Sequence, residues 1–295
     1  MFICLLLLLL TLVCENQIVI SGARYGLMLW FHDVLPLLLP FMILSNLFIL
    51  ELRKKKTATH YTIPVLLLLG LLCGYPLGAK MASDFSSEGM LDQKKAARLL
   101  PLCNNISPMF LSGYIGHTIL KDQYTFQFLL FVLYLPYIFV FLLTYLFDLI
   151  RRHRSTSTPT LHTCTNSLST TATSISGDSI LLQSVLQITY VGLYIMLCSI
   201  LFQLLCSVSF LPEQYQTLFC GFLEITQGSA AISTSAFSPA KKTALILACT
   251  SFGGISAFLQ TIQVTKKSGL SIWFYLIVKL ICGCLTGLLT YFLVI

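Results

Sequence analysis

Long apolar runs, separated by short polar stretches, dominate the sequence. The runs at 25–50, 124–150, 180–210 and 271–295 are each long enough to cross a membrane as a helix, because a span needs ~20 residues. A further run, at 243–263, is interrupted by two adjacent glycines. The pattern predicts an all-α polytopic membrane protein.

Several apolar segments contain residues that break helices. The segments 61–79 and 99–120 of the first half contain glycine, proline, asparagine and serine, and 216–239 and 243–263 of the second half are interrupted similarly. Irregular backbone at membrane depth is tolerated only where it is buried in protein or lines a cavity. We therefore expect broken or re-entrant helices, with breaks and gating positions at Gly74, Pro76, Gly78, Pro108, Gly228, Gly253 and Gly254.

Composition supports the membrane assignment. Apolar residues make up 56% of the chain and charged residues 10%, whereas soluble domains carry about 25% charged residues. This composition argues against soluble enzymes, disordered proteins and nucleic-acid binders, so we expect no nucleic-acid partner. The 11 cysteines lie mostly singly in apolar runs and predict neither a disulfide framework nor a metal site. No protease, hydrolase or ATPase motif is present, so we expect no enzymatic activity and no cofactor.

Basic clusters suggest how the chain crosses the membrane. The clusters at 53–56 and 151–154 both predict cytoplasmic loops. Three full crossings between them would place one cluster outside, whereas a re-entrant hairpin at 61–98 leaves two crossings and keeps both inside. The lysine pair 266–267 then lies inside as well, but the pair 241–242 lies outside, so the orientation of the second half stays open.

The chain divides into an N-terminal segment and two halves that are joined by a linker. Residues 1–24 form an N-terminal hydrophobic helix, for which we favour a retained helix over a cleaved signal peptide at 1–22. The first transmembrane repeat is 25–154, and the second is 180–295. Between them, 155–179 contain 15 Ser or Thr among 25 residues and predict a flexible cytoplasmic linker.

The two halves are related by a shift of about 146 residues. Cys73 and Gly74 then correspond to Cys220 and Gly221, and Cys103 corresponds to Cys249. With the linker in the cytoplasm, the second half begins from the inside and has inverted topology relative to the first. Inverted repeats with broken helices near the bilayer midplane are typical of secondary transporters.

Four motifs lie at the predicted breaks. They are Cys-Gly-Tyr-Pro-Leu-Gly-Ala-Lys at 73–80, Cys-Asn-Asn-Ile-Ser-Pro-Met-Phe at 103–110, Glu-Ile-Thr-Gln-Gly at 224–228 and Ser-Phe-Gly-Gly-Ile-Ser at 251–256, with Gln260 further on. These segments resemble those of a known family, the YlbJ-type sporulation integral membrane proteins. The resemblance covers about residues 25–295, and the wider group includes proteins with nucleoside-recognition or Gate domains.

This resemblance implies a function in bacterial spore formation. It implies a multi-pass permease of the cell membrane, expected in the outer forespore membrane, that moves dipicolinate toward the developing spore. The expected partners are a small anionic substrate, a coupling H⁺ or Na⁺ and the lipid bilayer, while a homo-oligomer stays open. The alternatives are a non-transporting assembly protein of the spore envelope and a nucleoside-type permease.

Polar side chains at the first-half breaks are candidate substrate contacts. Lys80 could neutralise a substrate carboxylate, or it could extend to the membrane interface. Asn104, Asn105 and Ser107 could bind a planar dicarboxylate, because two amides offer both donors and acceptors. The alternative is that they cap the broken helix and bind neighbouring helices.

The second half contributes an acidic candidate. Glu224 lies inside an apolar segment, where a charge is costly and usually functional. With Thr226 and Gln227 it could accept a coupling proton or coordinate Na⁺, or it could pair with Lys80. Ser251 and Gln260 are further substrate-binding candidates, and Lys279 either faces the substrate path or extends to the interface.

Overall fold

The computed structural model describes residues 15–54, 61–154, 177–207, 212–266 and 268–295. Every regular element within these ranges is a helix. The prediction of an all-α polytopic membrane protein is therefore confirmed. The apolar run before residue 15 and most of the Ser/Thr-rich linker lie outside the described residues.

Within its described residues, the first half contains seven α-helices and two π-helical segments. The π-helical segment Trp30–Val34 joins the first two α-helices, and Leu111–Ile119 follows the sixth. The α-helices are α1 (Asn16–Leu29), α2 (Leu35–Lys54), α3 (Thr62–Cys73), α4 (Leu77–Ser87), α5 (Gln93–Cys103), α6 (Pro108–Phe110) and α7 (Phe126–Arg154).

The second half repeats much of this order. Its helices are α8 (Gly177–Ser207), α9 (Glu213–Leu223), α10 (Ile225–Thr234), α11 (Pro239–Phe252), α12 (Gly254–Thr265) and α13 (Ile272–Val294).

Within the described residues, four helical stretches are long and apolar enough to span a membrane. They are Phe126–Phe147, Leu181–Ser207, Pro239–Thr265 and Ile272–Val294. The stretch Pro239–Thr265 contains both α11 and α12, and α1 with α2 forms a pair bent by 55° that raises the number to five if it is one span. The chain is thus a multi-pass membrane protein. The long helices expose large apolar side chains outward, as lipid contact requires, among them Phe139, Phe147, Leu182, Leu197 and Phe292.

Equivalent helices of the two halves begin at a constant spacing. Gln93 begins α5 and Pro239 begins α11, 146 positions later. The same spacing separates the starts of α6 and α12 and the starts of α7 and α13. The structure therefore repeats at the shift that the sequence indicates.

The two halves run in opposite directions. At one end of the molecule, Gln93 Nε2 donates a hydrogen bond of 2.7 Å to the carbonyl oxygen of Gly269, which precedes α13. At the other end, Tyr124 Oη, which precedes α7, lies 3.3 Å from Thr243 Oγ1 near the start of α11. We name these the Gln93 end and the Tyr124 end. Because α5 starts at the first end and α11 at the second, the equivalent helices are antiparallel, as inverted repeats require.

Helices α3 and α4 form a tight hairpin whose tip lies at the end of α5. A Cβ atom on Gly70 of α3 would lie 2.6 Å from the carbonyl oxygen of Cys103, and one on Gly78 of α4 would overlap the same oxygen. Only glycine permits backbones to approach this closely. Gly78 therefore lies in the first turn of α4 and serves packing, whereas Gly74 and Pro76 occupy the break itself.

In the second half, one of the two predicted breaks lies at a different residue. The predicted break at Gly228 is wrong, because Gly228 is inside α10 and its amide donates to the carbonyl oxygen of Glu224. The chain breaks at Glu224, whose backbone is extended with φ −153° and ψ 130°. The break at Gly253 and Gly254 is confirmed, and both glycines have positive φ, which other residues rarely adopt. Pro108 begins α6, in agreement with its assignment to a break.

Candidate functional site

Four helix breaks meet in the middle of the molecule. They lie at 74–76, 104–107, Glu224 and Gly253, two from each half. A narrow cavity lies among them, with about 40 Å³ of room for water. We call it the central cavity, and its lining includes Tyr75, Ser107, Glu224, Thr226, Gly253, Ser256 and Gln260. Helices α2 and α8 close its remaining side with apolar residues such as Leu38 and Val191.

Glu224 presents a buried carboxylate to the central cavity. Its Oε2 accepts hydrogen bonds from the backbone nitrogens of Thr226 at 2.9 Å and Gln227 at 3.0 Å, and from the Thr226 hydroxyl. Glu224 is thus the N-cap of α10, where a negative charge also interacts favourably with the positive end of the helix dipole. Only 5% of the residue is exposed.

The other helices that begin at the cavity are capped differently. Ser107 Oγ accepts a hydrogen bond of 3.2 Å from the backbone nitrogen of Phe110 and so caps α6. Helix α12 begins at Gly254 without a side-chain cap. The first turn of α12, including Ser256, lies beside the cavity. The positive end of this helix dipole therefore faces that side of the cavity.

Asn104 connects the two halves instead of facing the cavity. Its Oδ1 accepts from the backbone nitrogen of Ala79 at 3.1 Å, in the first turn of α4. Its Nδ2 donates to Thr261 Oγ1 and Tyr275 Oη, both at 2.9 Å. The amide is fully buried, so these bonds fix the end of α5 against α12 and α13.

Asn105 and Ser251 share a partner that the sequence did not identify. Lys279 Nζ donates to Asn105 Oδ1 at 2.6 Å and to the carbonyl oxygen of Ser251 at 3.2 Å. The hydroxyl of Ser251 accepts a hydrogen bond from Thr286 Oγ1. Lys279 is 2% exposed, so neither of its predicted positions is correct: it extends neither to the interface nor into the central cavity.

A second, larger cavity adjoins the central one. It has about 420 Å³ of room for water and is lined by lysines, an aspartate and several glutamines. We call it the polar cavity. Gln260 and Val191 line both cavities, so they form the partition between them. The polar residues of its lining are Lys80, Asp84, Gln183, Gln187, Tyr190, Gln260, Gln263 and Lys266.

Lys80 belongs to the polar cavity. Its Nζ donates to Asn46 Oδ1 at 3.2 Å, which links α4 to α2. Lys266 at the end of α12 lines the same cavity. With two lysines and one aspartate in its lining, the polar cavity is the more positive of the two spaces, because the central cavity has Glu224 and, among the described residues, no lysine in its lining.

Gln227 and Gln260 each have a buried side-chain carbonyl oxygen that accepts no hydrogen bond within the described part of the chain. Gln227 Nε2 donates to Ser199 Oγ of α8, and Gln260 Nε2 donates to Ser256 Oγ at 3.2 Å. Their Oε1 atoms have no hydrogen-bond partner among the described residues. Leaving a buried acceptor without a hydrogen bond costs free energy. These two oxygens are therefore positions at which water or a donor group of a ligand would bind. Of the two, Gln260 lines the cavities and Gln227 does not.

The predicted site residues thus fall into two groups. Those that line a cavity are Lys80, Ser107, Glu224, Thr226 and Gln260. Those that connect helices away from both cavities are Asn104, Asn105, Gln227 and Ser251. Tyr75 and Ser256 line the central cavity and were missed, although both lie within the family-like motifs.

The described residues contain no group of three or more His, Cys, Asp or Glu side chains placed to hold a metal ion. The acidic and basic groups that line the two cavities are the carboxylates of Glu224 and Asp84 and the ammonium groups of Lys80 and Lys266, and hydroxyls and amides surround them.

Comparison with known proteins identifies one relevant relative. The chain is 24% identical over 314 residues to the sporulation integral membrane protein YlbJ of Bacillus subtilis (strain 168). The similarity covers 92% of this chain and 77% of the relative. It supports the resemblance to the YlbJ-type family along most of the chain. No family model matches the chain, so its assignment to the wider Gate-domain group stays a prediction. No solved structure matches it significantly.

Proposed function

We propose that this YlbJ-type integral membrane protein is a secondary permease for a small anionic metabolite, with dipicolinate as the favoured substrate during spore formation. The role in sporulation rests on the name of the similar protein. The role in transport rests on the architecture described above. A protein that only assembles the spore envelope has no evident need for broken helices around a cavity.

One observation supports transport above all others. Breaks from two antiparallel halves meet at one cavity, and a buried carboxylate lies within it. Discontinuous helices at the interface of inverted repeats form the substrate and ion sites of many secondary transporters. Rocking of one half against the other would expose such a cavity to each side of the membrane in turn.

The polar cavity supplies a route to the centre. Its volume of about 420 Å³ lies within the range of about 300–1,000 Å³ that is usual for ligand pockets. The central cavity, at about 40 Å³, has room for very few water molecules, because a water needs ≳10–15 Å³ by this measure. We infer that an anion first binds in the polar cavity near Lys80 and Lys266, and reaches the central cavity when Gln260 moves.

Glu224 is the group through which transport is coupled to an ion gradient. Its carboxylate caps α10 and faces the central cavity, where substrate and coupling ion would meet. It can take up a proton, or it can bind Na⁺ together with Thr226. In either case the bound cation would offset the negative charge of Glu224 when an anionic substrate enters.

Flux into liposomes tests the proposal. The purified protein is reconstituted with trapped Tb³⁺, and dipicolinate entry is followed by terbium luminescence. We expect flux above that of protein-free liposomes, abolished by Glu224→Gln and retained by Asp122→Asn. Asp122 is a matched control, because it is an exposed acid at the Tyr124 end. A nucleoside added in excess should leave the flux unchanged, and inhibition by it would favour a nucleoside-type permease.

Two results would contradict the proposal. One is flux no greater than in protein-free liposomes, obtained with protein that unfolds cooperatively at the same temperature before and after reconstitution. The other is wild-type flux in the Glu224→Gln variant, which would remove the carboxylate from the transport mechanism. The first result would favour an assembly protein of the spore envelope.

A further inference from the structure

The ammonium group of Lys279 lies between two equivalent points of the inverted repeats. Asn105 and Ser251, its two hydrogen-bond partners, are separated by the same 146 positions as the starts of α5 and α11. A group that contacts equivalent residues of both repeats lies close to the pseudo-twofold axis that relates them. Lys279 comes from α13 alone, and the equivalent position of α7 is Leu133.

At this point the C-terminal ends of two helices face each other. The carbonyl oxygen of Ser251 belongs to the last turn of α11 and has no partner within that helix. Asn105 marks the corresponding end of α5. Its Nδ2 donates to the carbonyl oxygens of Pro101 and Leu102 in the last turn of that helix, both at 3.1 Å. Helix C-termini are the negative ends of the helix dipoles and favour a cation.

Aromatic rings complete the surroundings of the ammonium. Lys279 Nζ lies 5.0 Å from the centroid of the Tyr137 ring and 5.8 Å from that of Tyr275. Both distances are within the range of cation–π attraction. The hydroxyl of Tyr137 donates to the carbonyl oxygen of Ser251 at 2.7 Å, so this oxygen accepts hydrogen bonds from both Tyr137 and Lys279. The neighbours of the ammonium thus include a carbonyl oxygen, an amide oxygen and two ring faces.

We propose that Lys279 supplies, as a tethered ammonium close to the pseudo-twofold axis, the cation that holds the broken helices α5 and α11 together. Half-helix C-termini and unwound carbonyls are the groups that bind free Na⁺ in many transporters. Here a side chain of the protein occupies a site of this kind. Lys279 does not line the central cavity, so it is a positioning residue and not a substrate ligand.

The proposal separates this locus from ion coupling. Because a covalently attached cation does not leave, this site binds no free Na⁺, and the two breaks remain aligned in Na⁺-free solution. The consequence for transport rests on the proposed function: coupling must occur elsewhere in the molecule. The consequence for stability does not depend on any substrate.

Thermal unfolding of the purified protein with chemical rescue tests the proposal. Lys279→Ala should lower the melting temperature by about 5 °C or more, because the two helix ends lose their shared donor. Propylammonium, which replaces the missing chain and charge, should restore at least half of this loss, whereas propan-1-ol of similar size should not. Val278→Ala is the matched control: it truncates a buried neighbour in α13, and propylammonium should leave its melting temperature unchanged.

The opposite results would overturn the proposal. They are an unchanged melting temperature in Lys279→Ala, or equal rescue by propan-1-ol and propylammonium. If Lys279→Ala yields no folded protein, the Glu224→Gln variant decides, because it keeps Lys279 but lacks the carboxylate at which Na⁺ could bind elsewhere. Its melting temperature should be the same in sodium chloride and choline chloride, and stabilisation by Na⁺ would show that the site at Lys279 needs a free cation. These measurements use no substrate, so the absence of dipicolinate flux would not affect their conclusion about Lys279.

Discussion

At the scale of single residues, Glu224 combines two roles. It replaces the missing intrahelical partners of the first amides of α10, and it places a carboxylate at the central cavity. The two roles use different properties, since capping needs an acceptor oxygen and ion coupling needs a titratable charge. Substitutions can therefore separate them.

Glu224→Ala should destabilise the protein more than Glu224→Gln does. Alanine leaves the backbone nitrogens of Thr226 and Gln227 without the side-chain acceptor, which costs about 1–2 kcal/mol in the free energy of unfolding. Glutamine keeps an acceptor oxygen at the same distance from the backbone. Thermal unfolding in detergent measures both variants, and equal melting temperatures would show that the cap contributes little.

The same scale shows which of the predicted site residues line a cavity and which connect helices. The sequence marks five polar residues of apolar segments that all line a cavity, namely Lys80, Ser107, Glu224, Thr226 and Gln260. Asn104, Asn105 and Ser251 met the same criterion but point between helices. The direction of a side chain beside a helix break depends on local dihedral angles and on neighbouring helices, and neither can be read from composition or spacing.

Lys279 illustrates a different limit. A lone lysine in an apolar helix is a functional candidate by default, but a long side chain near a helix end often extends to the interface instead. The deciding fact is that Asn105 and Ser251, far apart in the sequence, lie on either side of it. Only the inverted arrangement of the repeats brings these two residues together.

At the scale of helices, a close contact connects the periphery to the site. Gly22 and Gly26 of α1 are four residues apart and pack against α8, in the small-residue pattern typical of membrane helix pairs. A Cβ on Gly26 would lie 2.5 Å from Ser199 Oγ. That hydroxyl accepts the hydrogen bond from Gln227 Nε2, so α1, α8 and α10 meet at one point.

Gly26→Val should therefore weaken both the α1–α8 contact and the α10 segment. The added methyl groups would collide with Ser199 and with the backbone of Met196, and overpacking of this kind costs about 1–3 kcal/mol. We expect a lower melting temperature and, in the flux assay, slower dipicolinate entry. Ser21→Val on the exposed side of the same helix is the control and should retain both properties. Wild-type stability in Gly26→Val would contradict the close contact.

The sequence predicts where helices lie more accurately than it predicts the residues at which they begin and end. Gly253 and Gly254 mark a break because the chain there adopts positive φ. Gly228 does not, because a glycine in the first turn of a helix is tolerated when a strong cap precedes it, and Glu224 supplies that cap. The sequence contains both Glu224 and Gly228, but only the hydrogen bonds show that α10 begins after Glu224 and continues through Gly228.

At the scale of the whole molecule, the antiparallel halves predict which loops share a side of the membrane. Lys94 and Lys266 lie at the Gln93 end, close to the contact between Gln93 and Gly269. Asp122 and Ser238 lie at the Tyr124 end, close to the contact between Tyr124 and Thr243. The basic clusters at 53–56 and 151–154 favour a cytoplasmic Gln93 end.

Cysteine labelling tests this arrangement. Each of these four exposed positions is replaced singly by cysteine, and vesicles of known orientation are treated with a membrane-impermeant maleimide. We expect Lys94→Cys and Lys266→Cys to react only in inside-out vesicles, and Asp122→Cys and Ser238→Cys only in right-side-out vesicles. The unsubstituted chain gives the background from its native cysteines. Labelling of Lys94→Cys and Lys266→Cys from opposite sides would refute the inverted halves. Exchange of both pairs together would instead leave the fold intact and show that the lysines at 241–242 outweigh the two basic clusters in setting the orientation.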